Sequence, residues 1–380
     1  MNKNVEKVQI SGIRKFYNEV VKVDGAISLT LGQPDFKTPE AIKIGMKEAI
    51  DKDLTTYTSN AGIEPLREEI GKYLNGFGIN YSKEEICLTV GGSEGIFIVL
   101  QSLINPGEKV LIPNPAYPAY ESIVNIIGGE VANYKLNPDF TVNVENIKKG
   151  LDETGAKVLI LSFPTNPTGA ILDEKGRDEL VELIKERDIL VITDEIYASV
   201  IYDKYVSVAQ NEEILEKIIY ISGFSKMFSA TGLRLGYVCA KAEIMKEIMK
   251  VHQYGVSCAP SIVQYGVLKG LRESLGEVEK MKEEFKKRKI YVIDRLKKMG
   301  IETVDPKGAF YIFPNIEKFK MTSEEFCLSL LKEEKVACVP GTAFGTLGEG
   351  YMRISYCYSI DELKEALDRI EKFIKKKSNI

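Results

Sequence analysis

Lys157-Val158-Leu159-Ile160-Leu161-Ser162, running into Phe163-Pro164-Thr165-Asn166-Pro167-Thr168-Gly169, is the stretch that decides the fold. Four consecutive apolar residues, apolar on both faces and closed by turn residues, describe a strand covered by helices on both sides. Ile189-Leu190-Val191-Ile192-Thr193 repeats the pattern, and shorter runs of the same kind lie at 86–90, 109–112, 218–222 and 236–240. Helical stretches separate them. Strands alternating with helices are the rhythm of an α/β fold with a mostly parallel central sheet sandwiched by helices.

Beyond residue 276 the rhythm changes. A long charged amphipathic helix at 277–299 leads into strand-like segments at 309–313, 336–339 and 351–356, and the chain closes on a helix. That helix opens with Ser359 and Glu362 in capping-box spacing and carries Leu363, Ala366, Leu367, Ile370, Phe373 and Ile374 at helical period. Near the start, Thr38 reads as an N-cap with Pro39 in the first helical position. A chain of 380 residues exceeds what one core usually organises. The expected division is 1–45 as an N-terminal arm joining a small domain, 46–275 as the large domain, and 276–380 as the rest of the small α+β domain.

Composition narrows the function. A net charge of −4 argues against a nucleic-acid footprint. The six cysteines are scattered singly, so they read as reduced thiols of a cytoplasmic protein, with no metal or redox pair among them. The first residues mix charged and apolar side chains and never form an apolar run long enough for a signal peptide or membrane span. The single histidine, His252, makes Ser-His-Asp chemistry or a histidine-rich metal site a poor fit, and reads as a structural helix residue.

Open parallel sheets bind ligands beyond the carboxyl ends of their strands. Chemistry gathers in this sequence at those ends. Asn114 to Tyr120, including Tyr117, follows one run, and Pro164 to Gly169, with Asn166, follows another. Asp194, Glu195 and Tyr197 follow a third; Gly223, Ser225 and Lys226 follow a fourth. Each residue alone has an ordinary alternative: Asp194 a helix cap, Tyr117 a core residue, Asn166-Pro167 a turn, Lys226 a solvated charge. Their joint placement favours a site. Gly91-Gly92-Ser93-Glu94-Gly95, between a strand and an apolar helix, suits one phosphate at a helix N-terminus, and lacks the ending of a nucleotide P-loop.

These residues resemble the class I and II aminotransferases, pyridoxal-phosphate enzymes of fold type I in the aspartate-aminotransferase-like branch. The resemblance runs nearly end to end: Leu31-Gly32-Gln33-Pro34-Asp35-Phe36, Tyr57 with Gly62 and Leu66-Arg67, the glycine-rich loop, Asn114 to Tyr120, Pro164 to Gly169, Asp194-Glu195-Ile196-Tyr197, Ser222 to Lys226 with Arg234-Leu235-Gly236, and Arg353. It implies that Lys226 carries pyridoxal 5′-phosphate in Schiff-base linkage and moves a proton during a ping-pong reaction. Asp194 would keep the pyridine nitrogen protonated, Asn166 and Tyr197 would bind the phenolic oxygen, and Tyr117 would stack on the ring. Backbone N–H groups of Gly92, Ser93 and Glu94 would hold the phosphate with Arg234, and Ser225 would add a hydroxyl. The position three residues before the lysine, often a phosphate-binding serine, is Gly223 here. Tyr57 would reach the phosphate of the other subunit of a homodimer. Arg353 would grip the substrate's α-carboxylate, with the backbone of Gly32 closing over it.

The stretches 10–16 and 251–259 are most similar to bacterial aminotransferase A, a subgroup associated with N-acetyl-L,L-diaminopimelate and lysine biosynthesis. The expected activity is amino transfer between such a donor, or glutamate, and a 2-oxo acid such as 2-oxoglutarate. Ser93 stands where some aspartate-specific relatives have a lysine. Arg14 serves a distal carboxylate if its segment crosses the mouth of the site, and is otherwise a solvated charge. A carbon–sulfur β-lyase uses the same scaffold. A ligand-sensing regulator built on it would need a DNA-binding module, and too few residues precede Gly32 for one.

Overall fold

The computed structural model describes residues 1–377. Its centre is a seven-stranded sheet in the order Ile86–Thr89, Gly236–Cys239, Ile218–Gly223, Leu190–Asp194, Val158–Ser162, Lys109–Asn114, Glu130–Lys135. Every neighbouring pair is parallel except those made by Gly236–Cys239, which runs against both of its partners. The decisive stretch becomes Val158–Ser162, in the interior of the sheet. Its residues alternate between two cores: Leu159 and Leu161 face one, Val158 and Ile160 the other. Helices cover both faces, which is why the run must be apolar throughout.

The edge strand Glu130–Lys135 has no counterpart among the expected strands. Only Tyr134 in it is buried, so it shows no apolar run to read. The helix expected to open at Thr38-Pro39 spans Glu40–Asp51, with Pro39 at its N-cap. The Thr38 hydroxyl donates instead to the carbonyl of Ser229 at 3.2 Å, so a contact with a distant segment displaces the local cap. This helix packs on Ser261–Glu273, where a Cβ on Gly45 would stand 3.0 Å from the Gly266 backbone. Residue 45, the expected domain limit, therefore lies inside a helix seated on the large sheet's side of the molecule.

A separate core joins Phe16, Val20 and Leu29 of the N-terminal segment to Phe310, Phe326, Met352, Leu367 and Phe373. Ile27–Ser28 pairs in parallel with Val336–Ala337, and an antiparallel trio follows the order Val339–Pro340, Met352–Ser355, Tyr311–Ile312. The closing helix Ile360–Lys377 starts as expected, the Ser359 hydroxyl donating to Glu362 at 2.7 Å. No helix of the described residues is long and apolar enough to cross a membrane.

Candidate active site

Six strands, Ile86–Thr89 among them, end on the same rim of the sheet, and the antiparallel strand starts there. A cavity of about 580 Å³ opens above that rim. Lys226, Asp194, Tyr197, Asn166, Tyr117, Gly92, Ser93, Ser225, Arg234, Gly32, Arg353 and Arg14 all line it. Tyr57 and Glu94 do not. Tyr57 is 85% exposed and lines a different surface hollow with Arg67 and Tyr265. The Glu94 carboxylate turns back to accept the Val90 N–H and to meet His252.

Lys226 sits in a single helical turn, Phe224–Met227, directly after a sheet strand. Its Nζ donates to the Gly32 carbonyl at 2.7 Å. Burial lowers this amine from its usual range to about 8, with the positive charges of Arg234 and Arg353 adding to the effect against an opposing contribution from Cys357. Asp194 ends its strand fully inside the protein. Burial raises its carboxyl, while hydrogen bonds from Tyr120, at 2.6 Å, and from the Ile196 N–H, at 3.2 Å, work against the rise.

Arg353 enters from the centre of the small antiparallel trio and is 1% exposed. One terminal nitrogen donates to Asn166 Oδ1 at 2.8 Å, the other to the Thr30 carbonyl, and the guanidinium lies over the rings of Tyr311 and Phe344 at 4.4 and 4.8 Å. Its buried Nε has no partner. A buried guanidinium held on two sides by neutral acceptors and aromatic faces is a cation without an anion, which suits it to receive one.

Arg234 has φ 53° and ψ 55°, a left-handed conformation that costs a side-chain-bearing residue about 1–3 kcal/mol. The strain aims its guanidinium at the glycine-rich loop, where its nitrogens donate to the carbonyls of Thr231, at 3.0 Å, and Val90, at 3.4 Å. A Cβ on Gly91 would overlap that guanidinium. Gly223 shows why no serine stands three residues before Lys226: a Cβ there would come within 2.9 Å of the Gly236 Cα. Gly236 is itself pressed against the loop, where a Cβ would lie 2.7 Å from Gly92 N.

Two tyrosines escaped sequence reading. Tyr120, beside the chosen Tyr117, holds Asp194. Tyr311 shares a hydrogen bond of 2.7 Å with Tyr197 and leaves no room for a side chain at Gly32. Tyr120 lay within a motif already marked by its place after a strand. Tyr311 sits in a short strand far along the chain and carried no signal. Arg14 reaches the mouth on the helix Gly12–Val20, beside Ser11, Ile13 and Tyr17.

Residues 24–370 match the family described as "Aminotransferase class I and II". The chain is 42% identical to a "Probable N-acetyl-LL-diaminopimelate aminotransferase" of Bacillus subtilis (strain 168), over 99% of this chain and 96% of that one. It is equally 42% identical to an aspartate aminotransferase of Pyrococcus abyssi (strain GE5 / Orsay), over 99% of both. The crystal structure of an aromatic aminotransferase from Pyrococcus horikoshii OT3 superposes with a TM-score of 0.91 at 39% identity, covering 96% of this chain and all of that one. With the lysine, aspartate and arginine meeting in one cavity of this fold, the chain belongs to the class I and II aminotransferases, pyridoxal-phosphate-dependent transaminases of fold type I.

Proposed function

We propose that the rim cavity holds the cofactor and, above it, the amino-acid and 2-oxo-acid substrates in turn. The observation that carries this reading is the meeting of the Lys226 amine, the buried Asp194 carboxyl and the Arg353 guanidinium, held by neutral acceptors with its Nε left over, around one space of about 580 Å³. The residues fit the group: an amine lowered to about 8, a buried acid, and a helix N-terminus flanked by Arg234. The bound cofactor supplies an electron sink for the bond broken at the substrate's α-carbon.

Lys226 Nζ then takes the α-proton and returns it, a role suited to an amine that is partly neutral near pH 8. Asp194, kept in place by Tyr120, would hold the proton of the cofactor's ring nitrogen. Asn166 and Tyr197 would bind the cofactor's phenolic oxygen and Tyr117 would pack on its ring. The N–H groups at 92–94, with Arg234 and the Ser225 hydroxyl, take the phosphate. Arg353 receives the α-carboxylate, under the backbone of Gly32. Because Arg353 and Gly32 come from the unit built by the two chain ends, binding draws that unit onto the rim and expels water.

The finer reading is a homodimer in the cytoplasm that uses N-acetyl-L,L-diaminopimelate, glutamate or a related donor with 2-oxoglutarate, in lysine biosynthesis. Exposed Tyr57 supports a partner's contribution, and five buried cysteines with one partly buried suit a reducing compartment. Arg14 at the mouth supports a distal carboxylate, and likeness to the Bacillus subtilis relative supports the donor.

The test is the absorption spectrum of the protein with pyridoxal phosphate, before and after glutamate, with borohydride trapping and peptide mapping. The expected result is a visible band that glutamate converts to the pyridoxamine form, with the label on Lys226. Lys226→Ala should bind the cofactor without trapping and lose several orders of magnitude in turnover. A label on another lysine would refute the assignment.

A further inference from the structure

Glu94 stands in the first turn of the helix Gly91–Leu103, where the phosphate is proposed to bind. A free carboxylate there would repel a dianion. The structure ties it down at both oxygens: Oε2 accepts the Val90 N–H, and Oε1 lies 2.8 Å from His252 Nδ1. On the far side, His252 Nε2 lies 2.9 Å from the Asn60 carbonyl oxygen. A carbonyl can only accept, so Nε2 carries a proton. The contact with Glu94 is also a hydrogen bond only with a proton between the two atoms, and imidazole is more basic than a carboxylate. His252 is therefore a doubly donating imidazolium, and its side chain is fully buried while that of Glu94 is 13% exposed.

We infer that His252 is a positioning residue for the cofactor phosphate: it neutralises Glu94 and bolts the 91–95 loop to the Asn60 segment, leaving the loop's N–H groups free and preset for an anion. The inference rests on the reading of that loop as the phosphate site. The pieces come from three separate stretches. Asn60 lies three residues after Tyr57, Glu94 belongs to the loop, and His252 lies on the helix Ala242–Gly255, which packs on the loop helix.

The other titratable groups near the ring are few. Cys87 faces it from Ile86–Thr89, and the Glu85–Lys241 pair, 3.1 Å apart, closes the far end of the helix. Burial opposes the charge on His252, but Cys87 and Glu94 outweigh it and raise the imidazole from 6.5 to about 10. A folded value above the unfolded one means that the stabilisation is whole below pH 6.5 and is lost as pH rises through about 10.

The experiment compares dissociation constants for pyridoxal 5′-phosphate and for pyridoxal, which lacks the phosphate, in the wild type, His252→Gln and Glu94→Gln/His252→Gln. The wild type should prefer the phosphorylated form. His252→Gln should lose about tenfold or more of that preference by exposing the Glu94 charge to the phosphate, and the double variant should regain most of it. A preference unchanged in His252→Gln overturns the inference and leaves the phosphate site standing. Loss without recovery in the double variant overturns the neutralising role. No preference in the wild type overturns the phosphate site itself. Should His252→Gln fail to fold, the wild type still decides. His252 is the chain's one histidine, so its ring nitrogens can be read directly by ¹⁵N NMR, where two protonated nitrogens at pH 7.5 support the role and a neutral ring overturns it.

Discussion

Lys226 and Arg353 are both cations withdrawn from water, and their chemistry makes them behave differently. Burial lets the lysine amine shed its proton near pH 8, whereas a guanidinium stays charged and waits for an anion. The rate at which apoprotein captures pyridoxal phosphate should therefore climb through about pH 8 and level off above it, as the neutral amine becomes the main form. Stopped-flow absorbance across pH 6.5 to 10 would check this, and a climb delayed to the range of an ordinary lysine would contradict the assigned environment. Arg353→Lys keeps the charge but loses the fork that can meet a carboxylate with two bonds. Its cost should be about 3 kcal/mol, on the order of 100-fold in kcat/KM. Steady-state kinetics with glutamate would measure it, and an unchanged value would remove Arg353 from carboxylate binding.

Among the elements, the antiparallel strand Gly236–Cys239 has the tightest surroundings. It is wedged between Ile86–Thr89 and Ile218–Gly223, and its first residue touches the glycine-rich loop, so loop and lysine turn are held in register through glycine backbones. Gly236→Ala should destabilise the fold by about 1–3 kcal/mol, as overpacking does, because backbone rather than a movable side chain stands 2.7 Å from the new Cβ. Urea unfolding midpoints would show it, and weakened cofactor binding should accompany the loss. The interior strands were legible because both of their faces are buried, which makes the residues uniformly apolar. The edge strand Glu130–Lys135 was not, since its exposed face imposes no pattern. The Thr38 cap failed for a related reason: a hydroxyl can satisfy a distant carbonyl as readily as the helix beside it.

For the whole molecule, the proposal that Tyr57 serves a partner's site predicts a dimer whose cofactor binding depends on assembly. Sedimentation velocity should find twice the chain mass at micromolar concentration, and dilution to monomer should release the cofactor. A monomer that retains it at full affinity would place Tyr57 outside the site. The two ends of the chain meet in one core, with Ile27–Ser28 paired to Val336–Ala337, so the unit carrying Arg353 and Gly32 can move as a body against the rim. Arg14 lies on the helix that packs Phe16 and Val20 into this core, so the proposed closure would bring a cation to the mouth.

The sequence by itself determined the α/β sheet, the rim on which the chemistry collects, and the residues expected to carry it, because strand burial and strand-end position leave local marks. Twelve of the residues singled out from it line a single cavity. Only the tertiary structure decided how those residues are held: Tyr120 on Asp194, Tyr311 on Tyr197 and over Arg353, and His252 between Glu94 and Asn60. Such partners lie far apart along the chain, and a tyrosine or histidine bound to one distant acceptor looks the same in sequence as one packed in a core. Their meeting depends on how strands and helices stack, and no local spacing records it.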